Sequence, residues 1–227
     1  GDLDGNGVDD FAVGAATGDR WYASWNWSTN KNGAVYIMFM NSDGSVKGTA
    51  TIDKDTTNGP DIGSNAHSYG RSVQNIGDID GDGIIDIAVG EERGDSGKGA
   101  VYIHFLNADG TVKSTATIKD GVTNAPDLAA GDHYGADIAN MGDLDGDGIN
   151  DIAVGADQDS SNGTDKGAVY IHYLNSDGSL KEDTVKIRHG TTNGPDIHNY
   201  GGYGGSIENI GDLDGDGIND LAVGETN

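Results

Sequence analysis

"GDIDGDGIIDIAVG" occupies residues 77–90. Asp78, Asp80, Asp82 and Asp86 fall within nine residues of one another, and the chain then turns apolar at once. Left unpaired, four carboxylates this close repel one another strongly. The same stretch starts at Gly1, Gly77, Gly142 and Gly211, at spacings of 76, 65 and 69 residues. A period of that kind marks a repeat architecture and sets the organisation of the chain.

Each repeat carries the same parts in the same order. The acidic loop runs into "DFAVGA", "DIAVGE", "DIAVGA" or "DLAVGE". A polar loop leads to "GAVYIMFM", "GAVYIHFL" or "GAVYIHYL", then to "NSDGS" or "NADGT". A third β-prone run follows, then "TNGPD" or "TNAPD", then "YGRSVQNIG", "YGADIANMG" or "YGGSIENIG". The Asn, Asp and Gly residues at 41–44, 107–110 and 175–178 lie between β-prone runs and signal hairpins. In "AVYIHFL" Val101, Ile103 and Phe105 alternate with Ala100, Tyr102 and Leu106, so both faces of that strand are apolar and both need cover. Four strands per repeat, with no helical periodicity, read as an all-β chain of stacked four-stranded propeller blades. Three strands belong to the first repeat, four to each of the next two and two to the last. That is three blades and a fraction, in a single repeat region spanning 1–227. A fractional blade predicts a segment of a longer propeller, or assembly with another copy through the blade ends.

The 227 residues include 39 Gly and no Cys, and 38 acidic residues against 13 Lys and Arg give a formal charge of −25. Asp outnumbers Glu by 33 to 5. Solubility alone does not select the shorter acid; tight turns and compact oxygen cages do. The charge argues against nucleic-acid or anionic-membrane partners. The longest strongly apolar run, "AVYIMFM" at 34–40, is far short of the roughly 20 residues a spanning helix needs. The absence of Cys excludes disulfides and thiolate metal sites.

Alternate carboxylates on a tightly turning chain converge on one point, and the interleaved glycines permit the turn. Such a point suits a hard cation, and Ca²⁺ accepts six to eight oxygens. The second loop offers Asp78, Asp80, Asp82, the backbone carbonyl of Ile84, and Asp86. The first offers Asp2, Asp4, Asn6, Val8 and Asp10; the third Asp143, Asp145, Asp147, Ile149 and Asp151; the fourth Asp212, Asp214, Asp216, Ile218 and Asp220. An EF-hand closes with Glu at its twelfth position, which here is Val89, so that reading fails on spacing. Acidic turns without metal are the bland alternative, which four copies with one spacing make improbable. About four Ca²⁺ are expected. Cytosolic calcium seldom fills sites of this kind, which places the chain outside the cell or at its surface.

The unit "YGRSVQNIGDIDGDGIIDIAVGE" resembles the FG-GAP repeat of integrin α-subunit head propellers and of many bacterial surface proteins. Tyr-Gly stands for the usual Phe-Gly, and "VGE" or "VGA" for the GAP end. The resemblance implies β-propeller blades with Ca²⁺ in the loop between two strands of a blade. The "LNSDGS" hairpin is most similar to bacterial and algal versions.

Other features are weighed against bland readings. Trp21, Tyr22, Trp25 and Trp27 sit in one long loop and form either an aromatic platform for a sugar or partner, or a cover for a blade end. The cover is favoured. Arg93-Gly94-Asp95 is a tripeptide many integrins bind, but three-residue matches are frequent by chance. Asn26 and Asn162 head glycosylation sequons. His67, His133 and His198 recur before Tyr-Gly, and a shared structural role is expected of them. Nothing in the sequence asks for catalysis. The leading expectation is a non-catalytic, calcium-binding adhesive or structural protein with a protein or glycan partner outside the cell. The alternative is a carbohydrate-binding propeller module, on its own or attached to an enzyme, resting on the Trp loop.

Overall fold

The structure, a computed structural model, describes residues 1–16, 33–62, 68–182 and 184–225. Among the described residues thirteen strands form four antiparallel sheets of three, four, four and two strands, as the repeat count anticipates. The first holds β1 (Phe11–Ala15), β2 (Ala34–Met40) and β3 (Val46–Ile52). The second runs β4 (Tyr69–Gly77), β5 (Asp86–Glu91), β6 (Ala100–Leu106), β7 (Val112–Lys119). The third runs β8 (Tyr134–Gly142), β9 (Asp151–Ala156), β10 (Ala168–His172), β11 (Val185–Arg188). The last pairs β12 (Ile207–Gly211) with β13 (Asp220–Val223). Strands adjacent in sequence are adjacent in the sheet, so each blade is an up-and-down meander that, from the second blade on, begins one strand before its acidic loop, at the Tyr-Gly strand.

The two apolar faces of β6 pack on two different neighbours. Val101, Ile103 and Phe105 join Ile138, Ile152 and Val154 of the third sheet. Ala100, Tyr102 and Leu106 join Val35, Ile37 and Phe39 of the first. Every residue of β6 and β10 is buried, whereas β2 leaves Tyr36 41% exposed. Full burial of such aliphatic side chains is worth about 1.5–3 kcal/mol each, so the blade-to-blade layers hold most of the stability. Phe11 occupies in β1 the place of Ile87 in β5, yet is 57% exposed against 4%, because no described sheet covers that face.

Glycine pairs set the separation between blades. An ideal Cβ on Gly90 would lie 2.1 Å from the carbonyl oxygen of Gly135. Gly14 meets Gly70 O at 1.9 Å, and Gly155 meets Gly204 O at 1.9 Å, in the same way. Gly70, Gly135 and Gly204 have φ of +83°, +88° and +94°, a region disfavoured for other residues. Single parallel bridges beside these contacts, Gly33–Tyr69, Gly99–Tyr134 and Gly167–Tyr203, tie each sheet to the next.

Buried polar pairs sit in the same layers. The Tyr69 hydroxyl lies 2.7 Å from His104 Nε2, and Tyr134 lies 2.7 Å from His172 Nε2. Their Nδ1 atoms face Thr115 and Thr184 hydroxyls at 2.8 and 3.1 Å. Burial pushes both imidazoles down to about 3, so they are neutral at any physiological pH.

Candidate metal centres

Each acidic loop joins the first strand of its blade to the second; the first loop leads directly into β1. In the second loop Asp78 Oδ1 accepts the N–H groups of Gly81 and Asp82 at 2.8 and 3.0 Å, and Oδ2 accepts that of Gly83 at 2.7 Å. Asp80 Oδ1 accepts from Asp82 N–H (3.2 Å) and Asp82 Oδ1 from Ile84 N–H (2.9 Å). Gly81 and Gly83 take φ of +77° and +89°, which lets the backbone coil around its own carboxylates. The other three loops repeat this pattern, with Asn6 Oδ1 accepting from Val8 N–H in the first.

The eighth-offset aspartate is the anchor. Asp86 is 1% exposed and accepts from Ile79 N–H within the loop and from Leu106 N–H at the end of β6, both at 3.1 Å. Asp151 likewise joins Leu144 to Leu174, and Asp10 joins Leu3 to Met40. Asp220 holds Leu213. Burial pushes Asp86 up to about 6 against the pull of these N–H bonds, and raises Asp151 too.

Carboxylate oxygens of Asp78, Asp80 and Asp86 come within 4.8 Å of one another, as do those of Asp2, Asp4 and Asp10, of Asp143, Asp145 and Asp151, and of Asp212, Asp214 and Asp220. Donors opposite each other around Ca²⁺ are about 4.6–5.2 Å apart, so the spacing fits, and an oxygen-only set suits a hard cation. Asp82, Asp147 and Asp216, expected as ligands, fall outside these tight groups. The backbone carbonyls of Val8, Ile84, Ile149 and Ile218 belong to the residues whose N–H groups the fourth-offset side chains hold.

A cation that the sequence reading missed stands at three of the loops. Lys113 Nζ lies 2.6 Å from Asp80 Oδ2 and 2.7 Å from Asp82 Oδ2. Lys181 reaches Asp145 and Asp147 at 2.5 and 2.6 Å, and Lys47 reaches Asp4 at 2.6 Å. The hydrogen bond from the ammonium, more than any other influence, holds the Asp82 and Asp147 carboxyls below the usual range. The signal was present: "NSDGSVK", "NADGTVK" and "NSDGSLK" place Lys at one position after each hairpin.

Asparagines, also missed, link the loops to the preceding blade. Asn150 and Asn219 donate to the carbonyls of Ile76 and Met141, both at 2.9 Å. Asn140 and Asn209 donate to Asn75 and Asn140 carbonyls.

A family model described as FG-GAP repeat matches residues 1–38, 69–104 and 134–172. The chain is an FG-GAP repeat protein. It is 32% identical to integrin alpha-3 of Cricetulus griseus over 196 residues, which cover 85% of this chain and 16% of that protein. Integrin alpha-6 of Gallus gallus is 34% identical over 159 residues (70% and 13%), and integrin alpha-PS2 of Drosophila melanogaster 33% over 168 residues (70% and 11%). The chain spans less than a fifth of the length of these relatives. The glycines of the FG-GAP signature, Gly70 with Gly14 and Gly135 with Gly90, are those that meet between blades.

The remaining candidates are scattered. Arg93, Gly94 and Asp95 lie in the turn between β5 and β6, where Arg93 Nε sits 3.2 Å from Glu92, a residue Arg71 also holds. Asn162 is exposed in the loop between β9 and β10 and donates to the His189 carbonyl. Trp21, Tyr22, Trp25, Asn26, Trp27 and His67 lie outside the described residues. His133 and His198 each bring Nδ1 to 3.4 Å from a carboxylate that follows the second strand of a blade, Asp157 and Glu225. Their settings differ: His133 directly precedes Tyr134, whereas His198 lies five residues before Tyr203, the counterpart of Tyr134, and is 78% exposed. Among the described residues no helix is long and apolar enough to cross a membrane.

Proposed function

We propose that residues 1–227 form one non-catalytic region of a calcium-stabilised adhesion protein, working outside the cell or at its surface. The observation that supports this most is the fourfold convergence of three carboxylates in loops that each end on an aspartate, one that is fully buried in the second and third loops. In this reading Asp78, Asp80 and Asp86, and their counterparts, hold Ca²⁺ directly, with Asp82 and the Ile84 carbonyl completing the shell. The ion supplies no chemistry; it neutralises the loop. Four divalent ions bring eight positive charges against a formal −25. Rigid blades then present their loop ends to an extracellular protein partner, in keeping with the relatives' being integrin α chains. Contact through the terminal sheets, where Phe11 and Leu213 are exposed, is the competing mode of association.

Calcium titration of the chelated chain by calorimetry, with melting curves in EGTA and in Ca²⁺, tests this. About four equivalents should bind, and saturation at 100 times Kd should add about 2.7 kcal/mol per site. No binding heat, and a melting temperature unmoved by EGTA, would falsify the calcium reading. Light scattering with and without a candidate partner then separates partner binding from self-association.

A further inference from the structure

The third and fourth acidic loops have the same nine residues, "DLDGDGIND", at 143–151 and 212–220. The third faces a hairpin whose Lys181 ammonium grips Asp145 and Asp147.

The oxygens that the lysines hold are the ones least engaged elsewhere. In the second loop both Asp78 oxygens and both Asp86 oxygens accept backbone N–H groups. Asp80 and Asp82 each give Oδ1 to a backbone N–H. Only their Oδ2 atoms face away from the loop backbone, and both lie on Lys113. Lys181 takes the same two atoms of the third loop. Lys47 takes Asp4 Oδ2 alone, because the neutral Asn6 replaces the second carboxylate. One ammonium thus follows the local charge in three independent copies.

A divalent ion coordinated by the second-offset carboxylate would stand within a few ångströms of that ammonium, and like charges so close repel strongly. The lysine is tethered to a β-hairpin by its four-carbon stem, so its effective concentration at the loop is fixed by the fold and independent of the solution.

We propose that Lys47, Lys113 and Lys181 are built-in counter-ions of the first three loops, competing there with a divalent cation. The competition half rests on the calcium reading; the counter-ion half does not. Each of these loops then fills as its lysine swings out.

The test is calorimetric calcium titration of the intact chain and of its Lys47→Met, Lys113→Met, Lys181→Met triple variant, with melting curves of both in EDTA. In the triple variant calcium binding at these three loops should tighten by about tenfold or more relative to the wild type. The variant should also melt lower than wild type in EDTA. Unchanged or weaker calcium binding would overturn the competition, showing that the lysines buttress the ion. If neither protein binds calcium at any loop, the calcium reading fails, and the EDTA melt still decides the counter-ion role: a lowered midpoint keeps it, an unchanged one removes it. Should the triple variant not fold, Lys113→Met alone makes the same comparison on one loop.

Discussion

Replacing Gly90 by alanine adds one methyl group at a point where there is no space for it. The new Cβ would lie 2.1 Å from Gly135 O and 2.2 Å from Ser72 Oγ. The serine can rotate away at the cost of its 3.1 Å hydrogen bond to Gly135 O, but the carbonyl belongs to the backbone of the next blade. Restoring ordinary contact requires the second and third sheets to part locally by roughly 1 Å, and a gap of that size forfeits a quarter to a half of the dispersion energy of the atoms lining it. The layer affected includes Val101, Ile138 and Val154, all fully or almost fully buried. Overpacking alone typically costs about 1–3 kcal/mol, and the lost serine bond adds about 1 kcal/mol, so a destabilisation of about 2–4 kcal/mol is expected. Gly48→Ala is the control: its Cβ would meet only the Phe39 ring at 3.8 Å. There, in the β3 strand, alanine should be neutral or stabilise by up to about 1 kcal/mol through the unfolded chain. Urea unfolding at constant calcium measures both. If Gly90→Ala is no more disruptive than Gly48→Ala, the glycine pairs do not set the blade separation.

Three further outcomes follow from the buried polar groups and the loops. Glu91 is 2% exposed, its Oε1 has no hydrogen-bond partner among the described residues, and burial pushes its carboxyl up to about 7. A carboxyl whose folded pKa is raised binds its proton better folded than unfolded, so stability falls as pH rises from about 4.5 to 7, by on the order of 3 kcal/mol. Glu91→Gln should remove that share of the slope and stabilise the protein at pH 8; an identical pH profile in EDTA would contradict the assignment. Tyr134→Phe leaves His172 Nε2 buried without its 2.7 Å partner and should cost about 1–3 kcal/mol by chemical denaturation; a neutral result would mean that the imidazole re-pairs. Asp82→Ala, measured by hydrogen exchange, should loosen β5 and β6 more than β9 and β10, because repeat arrays are stabilised by nearest neighbours. Uniform loss of protection would sink the local picture.

The fold was legible because it is written several times. One copy of "AVYIHFL" shows two apolar faces; three copies at a common place show that the faces belong to different neighbours, as the packing of Val101 and Tyr102 on opposite sides bears out. The spacing of the acidic loop was legible for the same reason, and the structure brings Asp78, Asp80 and Asp86 together. What lay hidden depends on approach in three dimensions. The sequence marks Gly90 as a glycine inside a strand without indicating which backbone it meets. Lys113 is thirty-three residues from Asp80, and only the return of the hairpin across the blade brings them together. In the sequence His104 is only one member of the "AVYIHFL" run, while His67, His133 and His198 stand beside Tyr-Gly. The real partner of Tyr69 is the histidine in β6, found across the sheet from it.

The asparagine contacts at the loop ends all point one way. Asn140 and Asn150 donate to carbonyls of the second sheet, and Asn209 and Asn219 to carbonyls of the third. In each case the donor comes later in the chain than the acceptor. A polypeptide leaving the ribosome therefore presents every acceptor before its donor is made. Each new repeat needs nothing still unsynthesised to form these bonds. Contacts elsewhere in the same seams run the other way, with Asn58, Asn124 and Ser72 donating to the later carbonyls of Lys113, Leu180 and Gly135, so each seam is completed only when the next repeat has been made.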